Sequence, residues 1–293
     1  MTRPKTLRCP APAKARMQTL RRALGALAGG VATVLLALPA VASSGQTAFT
    51  PHRAVYDMDL AAARGARTVT DVDGRMTFTW KDVCDGWAIG YQTQMDLSFS
   101  GRPGQRLAWS YSAWEATSGA RFRFFLRRFQ EGRETLRRRG EARVTPEGGG
   151  VAKLSEPEAR EIDLSPGTLF PVGHTRAVLD AARAGDTFHY AEVFDGTGDA
   201  DGHFAASVAI SPAAAEAGTA RLESPLLTGV AAWHMDMAFF EPDARGAGGA
   251  PESEQSLRLH ANGVAGDMRL DYGDFVVSAT LTELEALDRP DCG

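Results

Sequence analysis

A chain of 293 residues, 44% apolar and 23% charged, has the composition of an ordinary globular protein and not of a disordered one. Its formal charge of −4 hides an uneven distribution: the first 42 residues carry seven Lys or Arg and no acid, leaving about −11 on the remaining 251. So acidic a remainder excludes general nucleic-acid binding, which needs clustered positive charge facing phosphate.

In chain order, the basic pair Arg21-Arg22 leads into the apolar run Ala23 to Leu38, followed by Pro39 and the small-x-small triplet Ala40-Val41-Ala42. The run falls short of the roughly 20 apolar residues that span a bilayer and ends on a cleavage pattern, so residues 1–42 read as a removable export signal. Met17 and Met1 both remain open as the start. Thr19-Leu20-Arg21-Arg22 only loosely resembles a twin-arginine signal, so general secretion is expected, and no cysteine stands at the cleavage point to take a lipid. Residues 43–293 are expected to form one periplasmic domain. Cleavage removes one of three cysteines and leaves Cys84 and Cys292. In an oxidising compartment two cysteines and no others point to one bridge, with two free buried thiols as the alternative.

The dominant period is two. Met76, Phe78 and Trp80 alternate with polar neighbours; Trp87, Ile89, Tyr91, Met95, Leu97 and Phe99 share the face opposite Ala88, Gly90, Gln92, Gln94, Asp96 and Ser98; Leu107, Trp109 and Tyr111 follow the turn Gly101–Gly104. Further strands are expected at 54–60, 121–130, 134–144, 187–194, 203–210, 233–240, 256–260, 268–272 and 276–284. About a dozen short strands with Gly, Pro and Asp turns fit an antiparallel sandwich, barrel or open barrel. One segment breaks the pattern: 174–184 places Val178, Leu179 and Ala182 at helical spacing and stops at Gly185. Ala213–Ala217 is expected to add a helical turn, and 246–251 and 148–150 to be loops.

Signals for chemistry are sparse. His52, His174, His189, His203, His234 and His260 stand singly, with no metal-ligand spacing. Asp195 to Gly202 resembles a calcium loop only briefly, because Ala200 stands where the sharp-turn glycine belongs and Ala206 where the closing Glu belongs. There is no GxSxG elbow and no nucleotide-phosphate loop, so no catalytic residue, cofactor or metal is assigned. The uneven feature is Arg121, Arg123, Arg127, Arg128, Arg133, Arg137, Arg138, Arg139 and Arg143, nine of the 25 cations beyond residue 42, interleaved with Phe122, Phe124, Phe125, Leu126 and Phe129. On paired strands they form either a stripe facing anionic lipid, lipopolysaccharide phosphate or an acidic partner, or a solvated hairpin whose arginine stems cover aromatics and pair with Glu131, Glu134 and Glu141. The candidate anionic-ligand surface is Arg121, Arg123, Arg127, Arg137, Arg138 and Arg139.

His52-Arg53-Ala54-Val55-Tyr56, Val83-Cys84-Asp85-Gly86-Trp87, Leu164 to Pro171 running into His174, Phe194-Asp195-Gly196, and Asp271-Tyr272-Gly273-Asp274-Phe275 ahead of Cys292 together resemble the EipB-like cell-envelope integrity proteins. The resemblance runs over nearly all of the chain after the signal. It implies a periplasmic, mainly β protein: an open, spiral-like antiparallel barrel of about fourteen strands, with a disulfide between the cysteines matching Cys84 and Cys292. It also implies a role in envelope integrity without enzymatic activity. The density of arginine over Arg121–Arg143 is not assigned to that pattern. The leading expectation is a non-enzymatic periplasmic factor that binds a protein partner or an envelope component in or on the barrel, as a monomer without a transmembrane anchor. The second is a carrier holding a lipid or other amphiphile in the barrel mouth; the third is an unrecognised hydrolase.

Overall fold

Alternating apolar and polar residues can bury one face of a strand while wetting the other, and the described residues form fourteen strands. The computed structural model describes residues 48–64, 69–145, 148–198, 202–213, 222–241 and 249–293. The expected signal at 1–42, Asp199–Asp201, nearly all of the turn expected at Ala213–Ala217 and residues 246–248 of the expected loop lie outside them. The strands are β1 (His52–Ala63), β2 (Val69–Asp82), β3 (Gly86–Phe99), β4 (Arg102–Ala116), β5 (Arg121–Gln130), β6 (Arg133–Val144), β7 (Gly150–Glu156), β8 (Arg160–Leu164), β9 (Phe188–Phe194), β10 (His203–Pro212), β11 (Ala232–Phe240), β12 (Ser253–His260), β13 (Ala265–Asp271) and β14 (Phe275–Ala286), with one helix, α1 (Pro171–Ala184), between β8 and β9.

They form a single antiparallel sheet in the order β8 through β1, then β14 back through β9. Every pairing joins strands adjacent in sequence except that of β14 with β1, from His52 opposite Ala286 to Ala63 opposite Phe275, and the sequence neighbours β8 and β9 are not paired with each other. The sheet therefore has two edges, β8 and β9, joined by the segment that carries α1. It curls into a nearly closed barrel, and that segment fills the seam: Leu169 bridges to Val193 of β9, and Phe170 joins Phe122, Phe124 and Phe194 in one aromatic cluster.

Helix α1 begins three residues earlier than expected, because Pro171 at its first turn has no N–H to leave unsatisfied. It ends at Gly185 in the left-handed conformation, φ +86°. Its apolar side, Val172, Val178, Leu179 and Ala182, lies inside the barrel against Trp80, Trp87 and Ile89 on one wall and Val208, Ile210, Met235 and Leu259 on the other. This end is filled. At the opposite end Tyr56, Met58, Met95, Leu97, Val277 and Ala279 form a second core, rimmed by partly buried Leu60, Phe99, Leu107, Trp109, Leu270 and Phe275.

Two strands, β7 and β8, are absent from the sequence reading: each is short and its inward face holds only Ala152, Leu154, Ile162 and Leu164. The turn expected at Gly101–Gly104 is shorter, since Arg102 already pairs with Phe99 and starts β4.

Cys84 and Cys292 form a disulfide with Cα atoms 5.5 Å apart. It fastens the last residues beside the β2–β3 turn, where Arg289 also pairs with Asp82 and donates to the carbonyl of Phe49. A crosslink spanning 208 positions removes much unfolded-chain entropy, roughly 5 kcal/mol on the chain-entropy model. Cys84→Ser and Cys292→Ser should each lower stability by similar amounts, measured by denaturant unfolding, and the double variant should lose little more, because the pair acts as one unit. Additive losses would show two independent residues.

Candidate binding surface of the barrel

The β5–β6 hairpin divides the arginines by parity. Residues 122, 124, 126 and 128 of β5 and 136, 138, 140 and 142 of β6 face inward, and their alternates face out. Arg138 is therefore buried, 7% exposed, and leaves the expected surface. Its guanidinium donates to the carbonyls of Gly196, at 3.2 Å, and Gly198. Arg128 donates to the carbonyl of Thr197 at 3.3 Å, and the Tyr111 hydroxyl to that of Asp195 at 2.9 Å. These three side chains draw the β9–β10 turn into the concave side of β4–β6. Gly196, at φ +76°, must be glycine because a Cβ there would occupy the Phe124 ring. The acidic loop considered for calcium is thus tied to the barrel wall. The Asp195 carboxylate accepts from the backbone N–H and hydroxyl of Thr197, and burial pushes it up to about 6 against those bonds and the nearby Arg138 and Arg128.

The other five expected surface arginines face solvent. Arg127 and Arg137 converge on Glu134, whose carboxyl is held down at about 2 by hydrogen bonds from Arg137 and Arg127. Arg139 pairs with Glu156 at 3.4 Å. Arg121 and Arg123 differ: neither forms an ion pair with a carboxylate among the described residues, and both guanidiniums lie over the Trp114 ring, at 5.5 and 4.5 Å from its centroid. Arg139 lies over Phe125 at 4.4 Å and Arg127 over Phe129 at 4.7 Å. Trp114 is fixed in turn by its indole N–H on Asp85 at 3.3 Å. Between these groups is a groove of about 620 Å³ lined by Trp114, Arg123, Phe125, Arg139, Glu141 and Lys153, among others.

Sequence reasoning missed Glu115. It continues the inward face of Leu107, Trp109 and Tyr111, so an acid at that parity was the available signal. It is 2% exposed and accepts from the backbone N–H groups of Val172 and Gly173, at 2.7 and 2.9 Å. These are N–H groups that a helix leaves unsatisfied at its start. Phe170, at the N-cap, has no side-chain cap to offer, so a carboxylate from across the barrel takes that part. The six histidines do not converge. His174 and His189 come nearest, with ring centroids 6.1 Å apart; burial, and secondarily the charge of His189, holds His174 down at about 4. Among the described residues, no group of three or more His, Cys, Asp or Glu is placed to hold a metal ion.

A family profile described as EipB-like matches residues 43–288. The chain belongs to the EipB-like family. It is 28% identical, over 268 residues covering 90% of this chain and 95% of the relative, to the cell envelope integrity protein EipB of Brucella abortus (strain 2308). A crystal structure of a β-barrel-like protein of domain of unknown function DUF1849 from Brucella abortus superposes with a TM-score of 0.74. It shares 27% identity, and the match covers 82% of this chain and 99% of that one. The EipB-like motifs now have physical reasons. Phe194-Asp195-Gly196 is the turn tied to Tyr111 and Arg138, and Ser165–Pro171 is the seam crossing, in which Leu169 bonds β9 and Phe170 fills the aromatic cluster. In Asp271–Phe275, the Asp271 carboxylate accepts from Gly273 at 2.9 Å.

Burial pushes the Glu115 carboxyl up to about 7, outweighing the two N–H groups and Arg176 that favour its charged form. The folded protein then keeps a proton that the unfolded chain releases above about 4.5, so this residue's contribution to stability falls as pH rises from 4.5 to 7 and is level beyond. The loss totals roughly 3 kcal/mol. Glu115→Gln cannot ionise. The stability of wild type minus that of the variant, measured from denaturant midpoints, should decline across that window, and a flat difference would contradict the assignment.

Proposed function

We propose that this chain is a non-enzymatic periplasmic envelope-integrity factor, exported by its N-terminal signal, that binds an anionic envelope component on the outer face of β4–β7. The observation that carries this reading is the pair Arg121 and Arg123. Outward charges elsewhere on the hairpin are largely met by Glu134, Glu141 and Glu156, and exposed pairs of that kind contribute little. These two are held by an indole face and have no carboxylate partner among the described residues. On a chain this acidic, a patch of uncompensated guanidinium orients the molecule toward negative charge. The carrier reading has less support, because α1 and the aromatic clusters occupy the barrel at one end and the β9–β10 turn is tied into its wall.

Binding of this kind depends on summed charge and weakens with salt. Co-sedimentation with phosphatidylglycerol vesicles or lipopolysaccharide should be strong at low salt and fall several-fold in Arg121→Gln/Arg123→Gln, with unfolding unchanged. Arg138→Gln should behave in the opposite way, keeping the association while losing about 2 kcal/mol of stability through its buried charged hydrogen bonds. Absence of any salt-sensitive association in the wild type would overturn the proposal.

A further inference from the structure

The groove on the outer face of β4–β7 has features beyond charge. Its volume, about 620 Å³, falls among sites for small organic ligands, roughly 300–1,000 Å³, and far exceeds a bare inorganic anion. Two guanidiniums border it, Arg123 over Trp114 and Arg139 over Phe125. A guanidinium resting on a ring gives up its face but keeps its in-plane N–H edge, the edge that meets two phosphate oxygens at once. Lys153 adds a point charge, shared with Glu161 at 2.7 Å, as Arg139 is shared with Glu156. Of the groove's three cations, Arg123 is the one without an ion pair among the described residues; Glu141, opposite it across the strands, pairs with Arg143 at 3.8 Å. Of the remaining lining, Ser112, Ser155 and Glu141 are the polar members, beside Ala113, Phe124, Gly140 and Leu154; those three polar side chains are partners for hydroxyl groups.

The backbone narrows the class further. Strands β4 to β7 all lie inside the sheet, paired on both sides, so no free ladder is offered to an extended peptide. A groove also suits a discrete ring better than a flat bilayer. Resting on the outward-binding reading above, we infer that this groove takes the sugar-phosphate unit of an envelope glycan, with phosphate on Arg123 and Arg139 and sugar hydroxyls toward Ser112, Ser155 and Glu141.

Titration calorimetry of the full chain at low salt tests this with glucose 1-phosphate, glucose, inorganic phosphate, phosphatidylglycerol vesicles and a polyglutamate peptide. Glucose 1-phosphate should bind about tenfold more tightly than inorganic phosphate, and glucose should not bind. Arg123→Gln should weaken glucose 1-phosphate several-fold. Arg123→Lys, which keeps the charge and loses the fork, should fall between. Arg123 is exposed, so both variants should unfold as the wild type does. Equal affinity for inorganic phosphate and the sugar phosphate, or indifference to Arg123→Gln, would overturn the inference. Binding of vesicles or polyglutamate that is lost in Arg121→Gln/Arg123→Gln, without preference for the sugar phosphate, would overturn it while leaving the outward-binding reading intact. Silence with every probe would overturn both.

Discussion

Two backbone N–H groups at the start of α1 end on the carboxylate of Glu115, and this contact fixes how the two edges of the sheet meet. A meander of fourteen strands whose last strand pairs with its first leaves one seam, between β8 and β9. Unpaired edges invite foreign strands. Here the β9 edge is partly paired by Leu169, and the crossing segment turns inward as a helix that touches both walls. Glu115 lies on β4, far along the sheet from either edge. By holding the helix start from there, it couples the seam to the middle of the barrel. Its burial is costly, which is why its proton affinity rises, and the two N–H groups offset part of that cost.

The β5–β6 hairpin shows how one composition serves two purposes. Period two sends Arg128 and Arg138 inward, where they satisfy carbonyls of the β9–β10 turn, and sends Arg121, Arg123, Arg127 and Arg139 outward over Trp114, Phe125 and Phe129, with Arg137 outward onto Glu134. The aromatics divide in the same way. Phe122 and Phe124 meet Phe170 and Phe194 in the core, whereas Phe125 and Phe129 support guanidiniums on the surface.

Much of this is legible in the sequence. Alternation along Trp87–Phe99 and Arg121–Gln130 announces strands directly, and Gly185 announces the end of the helix. Sheet order was not legible, because pairing of β1 with β14 is a contact between the two ends of the described chain that no local pattern encodes. β7 and β8 were missed because two or three inward side chains each give too short a period. The arginine stripe was visible as composition but not as geometry. Arg137, Arg138 and Arg139 look alike in a row, and only the register of Leu136 against Arg128 decides that the middle one is internal. Glu115 stood at an inward parity, yet its partner is a helix start more than fifty positions away.

In the proposed reading α1 fills one end of the barrel and the ligand is met on the outer face of β4–β7. Native mass spectrometry of the protein released gently from the cell compartment in which it accumulates tests this most directly. The account predicts the bare mass of the chain, or that mass with a water-soluble acidic adduct that disappears in Arg121→Gln/Arg123→Gln. A stoichiometric lipid adduct that survives those substitutions would contradict it, because the ligand would then lie inside the barrel.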